Sequence, residues 1–150
     1  MKRYIFSCIF SAMLIAGTFA QSNAFVDSLL SEKKVNYGQV SYLVLVASDN
    51  LSEDADEGRA FELLETLNWA PKGVAIADSV PLAAYARILM SAFGMKGGVM
   101  YTLFPSSRYA YRELASLQVI QGRSDPSATV DGVAAVRMLG RIFDVMGLNK

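Results

Sequence analysis

The sequence contains an internal repeat in which residues of the same type recur 50 positions apart. The matching pairs are Ala60 and Ala110, Leu64 and Leu114, Leu67 and Leu117, Val80 and Val130, Arg87 and Arg137, Leu89 and Leu139, and Phe93 and Phe143. A fixed offset of this length indicates two copies of one supersecondary unit that bury their apolar faces against each other. Because the matching stretches carry apolar residues at helical spacing, the repeat predicts an all-α bundle of helix pairs.

A third, shorter copy lies before the other two. A valine precedes a helix-opening residue at Val35-Asn36, Val80-Pro81 and Val130-Asp131, at offsets of 45 and 50 positions. Asn and Asp are good helix N-caps, and Pro is tolerated in the first turn of a helix. The first copy keeps only its second helix, as terminal repeats often do. The expected architecture is therefore two helix pairs plus a half unit.

Apolar spacing and breaker residues predict where the helices lie. The run VSYLVLVA over 40–47 is apolar enough for a buried strand, but its match to the later units favours a helix. Four more helices are predicted, each with an apolar stripe that faces the core. The first helices of the two pairs are 57–68, with Ala60, Phe61, Leu63, Leu64 and Leu67, and 108–119, with Ala110, Leu114 and Leu117. The second helices follow Pro81, with Tyr85, Ile88, Leu89, Ala92 and Phe93, and Asp131, with Val133, Val136, Leu139, Ile142 and Phe143. The breakers around Gly73 and Gly122 are expected to end the first helix of each pair.

The N-terminal segment, 1–20, has the composition of a secretory signal peptide. Lys2 and Arg3 precede an uncharged apolar run that ends in Thr18-Phe19-Ala20, which offers small residues for cleavage. An uncleaved membrane anchor is the alternative, although the run is slightly shorter than the ~20 apolar residues of a spanning helix. We expect a signal peptide at 1–20, a lead-in segment at 21–34 that caps the core, and a repeat domain at 35–150. The protein is expected to be exported, to the periplasm or the cell surface.

The composition excludes much catalytic and metal chemistry. Cys8 is the only cysteine and lies in the signal peptide, and the chain has no histidine, so the mature chain has no thiol and lacks the commonest general base. Without Lys2 and Arg3 it carries 12 basic and 14 acidic residues, with no basic block for nucleic acid. The acidic loop over 49–56 lacks the EF-hand spacing, and an approach to a helix N-terminus explains its charge as well. We expect no cofactor, no metal and no enzymatic activity.

The helix–loop pattern resembles the surface-layer homology (SLH) domain. The segment LQVIQG over 117–122, followed by Asp125-Pro126 and Val130-Asp131, is similar to the family's helix end, proline loop and second-helix opening. The resemblance implies a helical bundle that binds cell-wall polysaccharide in grooves between its repeats. At the positions of the arginine in the family's T-R-A-E opening, this chain has Tyr37, Leu82 and Gly132.

A cluster of arginines and tyrosines is the candidate ligand-binding surface. Its residues are Arg108, Tyr109, Tyr111, Arg112, Arg123 and Asp125. On a helix, Arg108 and Arg112 share a face, and guanidinium groups bind carboxylate or phosphate while aromatic rings stack on sugars. Alternatively, this is a solvated face on which the arginines pair with Glu113 and Asp125.

A second candidate surface is an apolar connector, expected to be a short strand or an extended segment. Its residues are Val99, Met100, Tyr101, Leu103 and Phe104. An exposed apolar patch here would mark a partner interface. The sequence thus predicts a non-catalytic binding or structural module of the cell envelope, whose partner is a cell-wall polymer or glycan. The alternative is a protein-interaction subunit of a periplasmic or surface assembly. The incomplete first unit also predicts a homo-oligomer.

Overall fold

The computed structural model describes residues 23–122 and 125–148, and these residues form helices without a strand. The helices are α1 at 23–30, α2 at Tyr37–Ala47, α3 at Glu57–Thr66, α4 at Leu82–Ala92, α5 at Val99–Leu103, α6 at Ser107–Ser116 and α7 at Gly132–Met146. The predicted all-α fold is confirmed, including the helix chosen for 40–47. The expected signal peptide, 1–20, lies outside the described residues.

Side-chain caps mark the starts of α2, α3, α6 and α7. Asn36 accepts a hydrogen bond from the backbone N–H of Gln39 at 2.9 Å, and Gln39 accepts one from the N–H of Asn36 at 3.1 Å, which forms a capping box. Asp56, Ser106 and Asp131 each accept a bond from the N–H three residues later. The predicted caps Asn36 and Asp131 are therefore confirmed.

The helix bounds follow the offset of the sequence repeat. Helices α3 and α6 are equally long and begin at Glu57 and Ser107, and α4 and α7 begin at Leu82 and Gly132. The segments between the helices of each pair, 67–81 and 117–131, are also equal in length. The two pairs therefore correspond element by element.

The ends of α3 and α6 differ from the prediction. The chain leaves the helix at Asn68 and Gln118, which adopt left-handed backbone with φ of 55° and 60°, several residues before the glycines expected to end it. Leu67 and Leu117 are consequently cap residues that are 37% and 40% exposed. Their predicted burial was wrong, because each helix ends before its apolar stripe does.

A ring of three backbone hydrogen bonds joins the three copies. The N–H of Val35 donates to the carbonyl of Val130 at 2.9 Å, the N–H of Val130 donates to Val80 at 3.0 Å, and the N–H of Val80 donates to Val35 at 3.0 Å. The three valines are 0%, 3% and 0% exposed. Each lies directly before the N-cap of α2, α4 or α7, so the ring brings the starts of these helices together at one pseudo-threefold centre.

The core continues from the ring along the three central helices. At the fifth position after each ring valine lie Val40, Tyr85 and Ala135, all 0% exposed. The Tyr85 hydroxyl donates to the carbonyl of Ala135 at 2.8 Å, so the one large side chain at this level also satisfies its polar atom. Farther along, the rings of Phe93 and Phe143, which match in the repeat, meet edge to face at 5.5 Å.

The lead-in segment, described from residue 23 onward, covers the core from one side. Leu29 of α1 is 1% exposed, and the ring of Phe25 packs edge to face on Tyr42 at 4.6 Å. The segment also crosses the start of α7, where the N–H of Gly132 donates to the carbonyl of Glu32 at 2.9 Å. A side chain at position 132 would overlap the carbonyl of Leu29, which explains the glycine here.

The connector between α4 and α6 is helical, so the predicted strand or extended segment was wrong. Its middle forms the one-turn helix α5, in which the N–H of Thr102 donates to Gly98 and that of Phe104 donates to Met100. This connection spans 93–106, whereas the corresponding connection from α2 to α3 spans only 48–56. The additional length of this connection accounts for the change in repeat offset from 45 to 50.

One face of α7 is less covered than the matching faces of α2 and α4. Helix α3 packs on α2 and α6 packs on α4. Leu45 and Met90 are 0% and 1% exposed, whereas the matching residue on α7 is Gly140, around which a Cβ would meet no atom within 4 Å. Val136 is half-buried, although its counterparts are fully buried. Among the described residues, α7 therefore lacks a covering helix like α3 or α6.

We predict opposite effects for alanine at the two glycines of α7. Gly132→Ala should lower the free energy of unfolding by about 1–3 kcal/mol, because its methyl group displaces the lead-in backbone. Gly140→Ala should raise it by about 0.5–1 kcal/mol, since alanine favours a helix and has open space there. Urea unfolding of both variants tests this. Equal effects would contradict the described path of the lead-in segment.

We also predict a loss of stability at alkaline pH. Burial raises the pKa of Tyr85 far above its usual value of 10.0, and burial also raises the pKa values of Tyr37 and Tyr42, with smaller contributions from nearby carboxylates. Because these hydroxyls ionise more readily in the unfolded chain, their contribution is complete below about pH 10 and is lost as the pH rises above it. Urea titrations between about pH 8 and pH 11 would measure the decline.

Tyr85→Phe provides the control for this effect. The variant should be about 1 kcal/mol less stable at neutral pH, because the carbonyl of Ala135 loses a partner. Above pH 10 its stability should fall less steeply than that of the unmodified protein. An unchanged slope would mean that Tyr85 does not carry the pH dependence.

Candidate functional site

Helix α6 presents the predicted arginines on its outer side. Its inner side is fixed by Ala110 and Leu114, both 0% exposed. Arg108 and Arg112 are exposed, and Tyr109 and Tyr111 are half-buried beside them. The two arginines are one helical turn apart, about 6 Å along the axis, so both guanidinium groups can reach one extended ligand.

Among the described residues, these arginines do not form the ion pairs that the alternative interpretation expects. Neither Arg108 nor Arg112 makes a salt bridge to Glu113 or Asp125 within 23–122 and 125–148. A carboxylate oxygen of Glu113 lies 2.8 Å from the place a Cβ would take at Gly98, so this group faces the start of α5. Asp125 is engaged within its own loop.

Within the described residues, the side chain of Asp125 stabilises its own loop. Its carboxylate accepts hydrogen bonds from the backbone N–H and the hydroxyl of Ser127, at 2.8 and 2.7 Å. These bonds lower the pKa of Asp125, because they stabilise the charged form. The turn hydrogen bond predicted for Asp125 is confirmed. Arg123 lies outside the described residues, so its place in the candidate site stays a prediction.

Comparison of the two helix pairs shows that the arginines are not part of the repeat. At the positions of α3 that match Arg108 and Arg112, the chain has Gly58 and Glu62. Helix α3 packs on α2 as α6 packs on α4 without either arginine. The positive charge of this face is therefore not required for helix packing.

The apolar connector residues are exposed, as a partner surface requires. Val99, Met100, Leu103 and Phe104 are 74%, 48%, 63% and 61% exposed. Tyr101 is half-buried and packs against the core. Four of the five predicted residues thus form an exposed surface, and Tyr101 anchors it.

A groove near the start of α7 was not predicted from the sequence. It has a volume of about 760 Å³ and lies between the lead-in segment, the loop before α7 and the helix itself, with Lys33, Arg137 and Arg141 among its lining residues. Arg141 donates to the carbonyl of Val119 at 3.0 Å and to the side chain of Gln121 at 2.9 Å. The groove depends on the path of the lead-in segment, for which the sequence pattern has no signal.

The described residues contain no group of three or more His, Cys, Asp or Glu side chains that could hold a metal ion. No helix in this part of the chain is long and apolar enough to cross a membrane. Comparisons with protein-family models, with curated proteins and with solved structures found no match. The resemblance to the SLH domain therefore rests on the sequence pattern alone.

Proposed function

We propose that the chain is a non-catalytic binding or structural module of the cell envelope, with an anionic wall polymer or glycan as its ligand. The signal-peptide pattern of 1–20 supports export. The SLH-like order of helix, proline loop and capped second helix supports attachment to the wall. The exposed arginine pair of α6 supports an anionic ligand.

One observation carries this proposal: Arg108 and Arg112 are exposed on one face without a salt bridge among the described residues. An exposed arginine on its own is usually only solvated. Two arginines one helical turn apart present two planar guanidinium groups, each of which can bind a carboxylate or phosphate group through two parallel hydrogen bonds. A polymer with repeated carboxylate or phosphate groups can therefore bind both guanidinium groups at once.

The flanking tyrosines extend the same surface. Tyr109 and Tyr111 are half-buried and therefore keep part of their side chains in reach of a ligand. Aromatic rings bind sugars through their apolar faces. The combination suits a charged polysaccharide better than a small inorganic anion, which would leave the rings unused.

We predict that the mature protein binds isolated cell-wall sacculi. The double substitution Arg108→Ala/Arg112→Ala should lower the affinity for sacculi at least about tenfold, because hydrogen bonds to charged groups contribute about 1.5–3 kcal/mol each. Co-sedimentation with sacculi measures the binding. The matched control is Arg59→Ala/Lys72→Ala, which removes the same charge from exposed positions elsewhere. Absence of binding by the intact protein, or an equal loss in the control, would overturn the proposal.

The uncovered face of α7 favours a second candidate function, that of a protein-interaction subunit. Helices α2 and α4 are each covered by the first helix of the next unit, and α7 has no such cover among the described residues. Half-buried Val136 and the open space at Gly140 leave room for a helix from a second copy of the chain. This arrangement would complete the half unit across a dimer.

Sedimentation velocity over a range of protein concentrations tests this second function. We predict a concentration-dependent dimer that Gly140→Glu dissociates at least about tenfold, because a charge would be buried in the interface. Gly140→Ala should have a much smaller effect. A Cβ at this position meets no neighbouring atom within 4 Å in the single chain, and glutamate favours a helix more than glycine does, so the melting temperature of the monomer should not fall. A protein that is only monomeric at high concentration would exclude the dimer.

A further inference from the structure

The connection between α4 and α6 carries apolar surface that the fold does not require. The corresponding connection between α2 and α3 is five residues shorter. Val99, Met100, Leu103 and Phe104, here called the apolar tip, are 48–74% exposed. Leaving four large apolar side chains in water forgoes the favourable free energy of burial. The longer connection therefore adds exposed apolar surface, whereas the shorter connection joins its helices without it.

The apolar tip is held in a defined position. The ring of Tyr101 lies over Gly97, where a Cβ would come within 2.7 Å of it, and the carboxylate of Glu113 lies beside Gly98. The N–H of Thr102 donates to the carbonyl of Gly98 at 3.0 Å, which closes the turn. Tyr101 packs against the core while its neighbours on α5 are exposed, so the fold presents the apolar tip outward.

Positive charge accompanies the apolar tip in the sequence. Residues 79–112 contain no Asp or Glu, and their basic residues are Arg87, Lys96, Arg108 and Arg112. Lys96 comes three residues before α5 and Arg108 four residues after Phe104, and both are exposed, as is Arg112. The carboxylate nearest to the tip in sequence is that of Glu113, and it lies beside Gly98, directly before α5.

More apolar surface lies at the same end of the molecule. Phe93, which follows α4, contacts Phe143 near the end of α7. Beyond this contact, Val145, Met146 and Leu148 are 44%, 40% and 56% exposed. Asp144 also lies here and makes an interaction of its own. The end of the bundle opposite the valine ring thus carries exposed apolar residues around α5 and at the end of α7, with basic residues near α5. The acidic loop 49–56, which follows α2, also lies at this end.

We propose that the apolar tip inserts into the surface of a membrane that contains anionic lipid, with Lys96, Arg108 and Arg112 binding lipid phosphate groups. Stable attachment to a membrane surface generally takes two signals, such as apolar insertion and a basic patch, and this end of the molecule has both. A single helical turn is too short to span a bilayer but can lie at its interface. The inference rests on the proposed location in the cell envelope.

A membrane fits the shape of the tip better than a protein partner does. A stable protein interface buries about 800 Å² on each side with close shape complementarity, whereas α5 is a single turn that is exposed on most sides. Lipid chains can surround such a turn without a preformed pocket. Basic residues near an apolar segment also gain from the negative potential of an anionic membrane.

Co-sedimentation with lipid vesicles tests the proposal. The mature protein should bind vesicles that contain about one third phosphatidylglycerol at least about tenfold more tightly than vesicles of phosphatidylcholine alone. Leu103→Ser/Phe104→Ser should weaken binding to the anionic vesicles at least about tenfold, because it removes inserted apolar surface. Lys96→Ala should weaken it less and should reduce its dependence on salt.

The control is Leu67→Ser/Leu117→Ser, which replaces two exposed leucines that are not part of the tip and should leave vesicle binding unchanged. Circular dichroism and thermal unfolding confirm that each variant is folded. Failure of the intact protein to bind anionic vesicles, or equal binding by Leu103→Ser/Phe104→Ser, would overturn the proposal and leave the tip to a protein partner.

The wall-binding and membrane-binding proposals can be tested independently. Sacculi contain no lipid and the vesicles contain no glycan, so each assay reports one ligand. Leu103→Ser/Phe104→Ser should keep its affinity for sacculi while losing its affinity for vesicles. If it loses its affinity for sacculi as well, the tip also contributes to wall binding; if it keeps its affinity for vesicles, the membrane proposal is wrong.

Discussion

The fold depends on three backbone hydrogen bonds among buried valines. Val35, Val80 and Val130 each donate to one member of the ring and accept from the other. A buried N–H or carbonyl without a partner costs about 1–3 kcal/mol, so the loss of one member would leave groups on both others unsatisfied. Because each valine adjoins a helix N-cap, the same bonds fix where α2, α4 and α7 start relative to one another. Core packing and the loops of each pair follow from that arrangement.

The sequence predicted those parts of the fold that local chemistry determines. Asn36 and Asp131 are caps because their side chains satisfy nearby N–H groups, and the offset of the repeat reappears in the helix bounds. The valines were visible as a pattern, but their mutual bonds involve backbone that every residue type shares. The turn of α5 was missed because a short apolar run fits a strand as well as a helix. The exposure of Leu67 and Leu117 depends on left-handed residues that no strong breaker marks.

The candidate surfaces lie where the copies differ. Shared positions such as Ala60 and Ala110 are buried and maintain the bundle, whereas Arg108 and Arg112 replace a glycine and a glutamate, and α5 occupies an insertion. The groove beside α7 and the open face at Gly140 lie where, among the described residues, no helix like α3 or α6 covers α7. This division explains why the fold was easier to predict than the site: repetition reveals the core, and a surface residue that occurs once has no second copy for comparison.

The valine ring also determines when the domain can become stable. Val35 belongs to the first unit and Val130 to the last, so in a chain made from its N-terminus the N–H of Val35 has no ring acceptor until Val130 has been added. Open solenoids differ, because each of their repeats contacts only its neighbours and can fold in succession. Closing the ring requires contact between residues 35 and 130, and contacts between residues so far apart in sequence slow folding. In a product that ends before Val130, the N–H of Val35 would have no acceptor and the carbonyl of Val80 would have no donor from the ring.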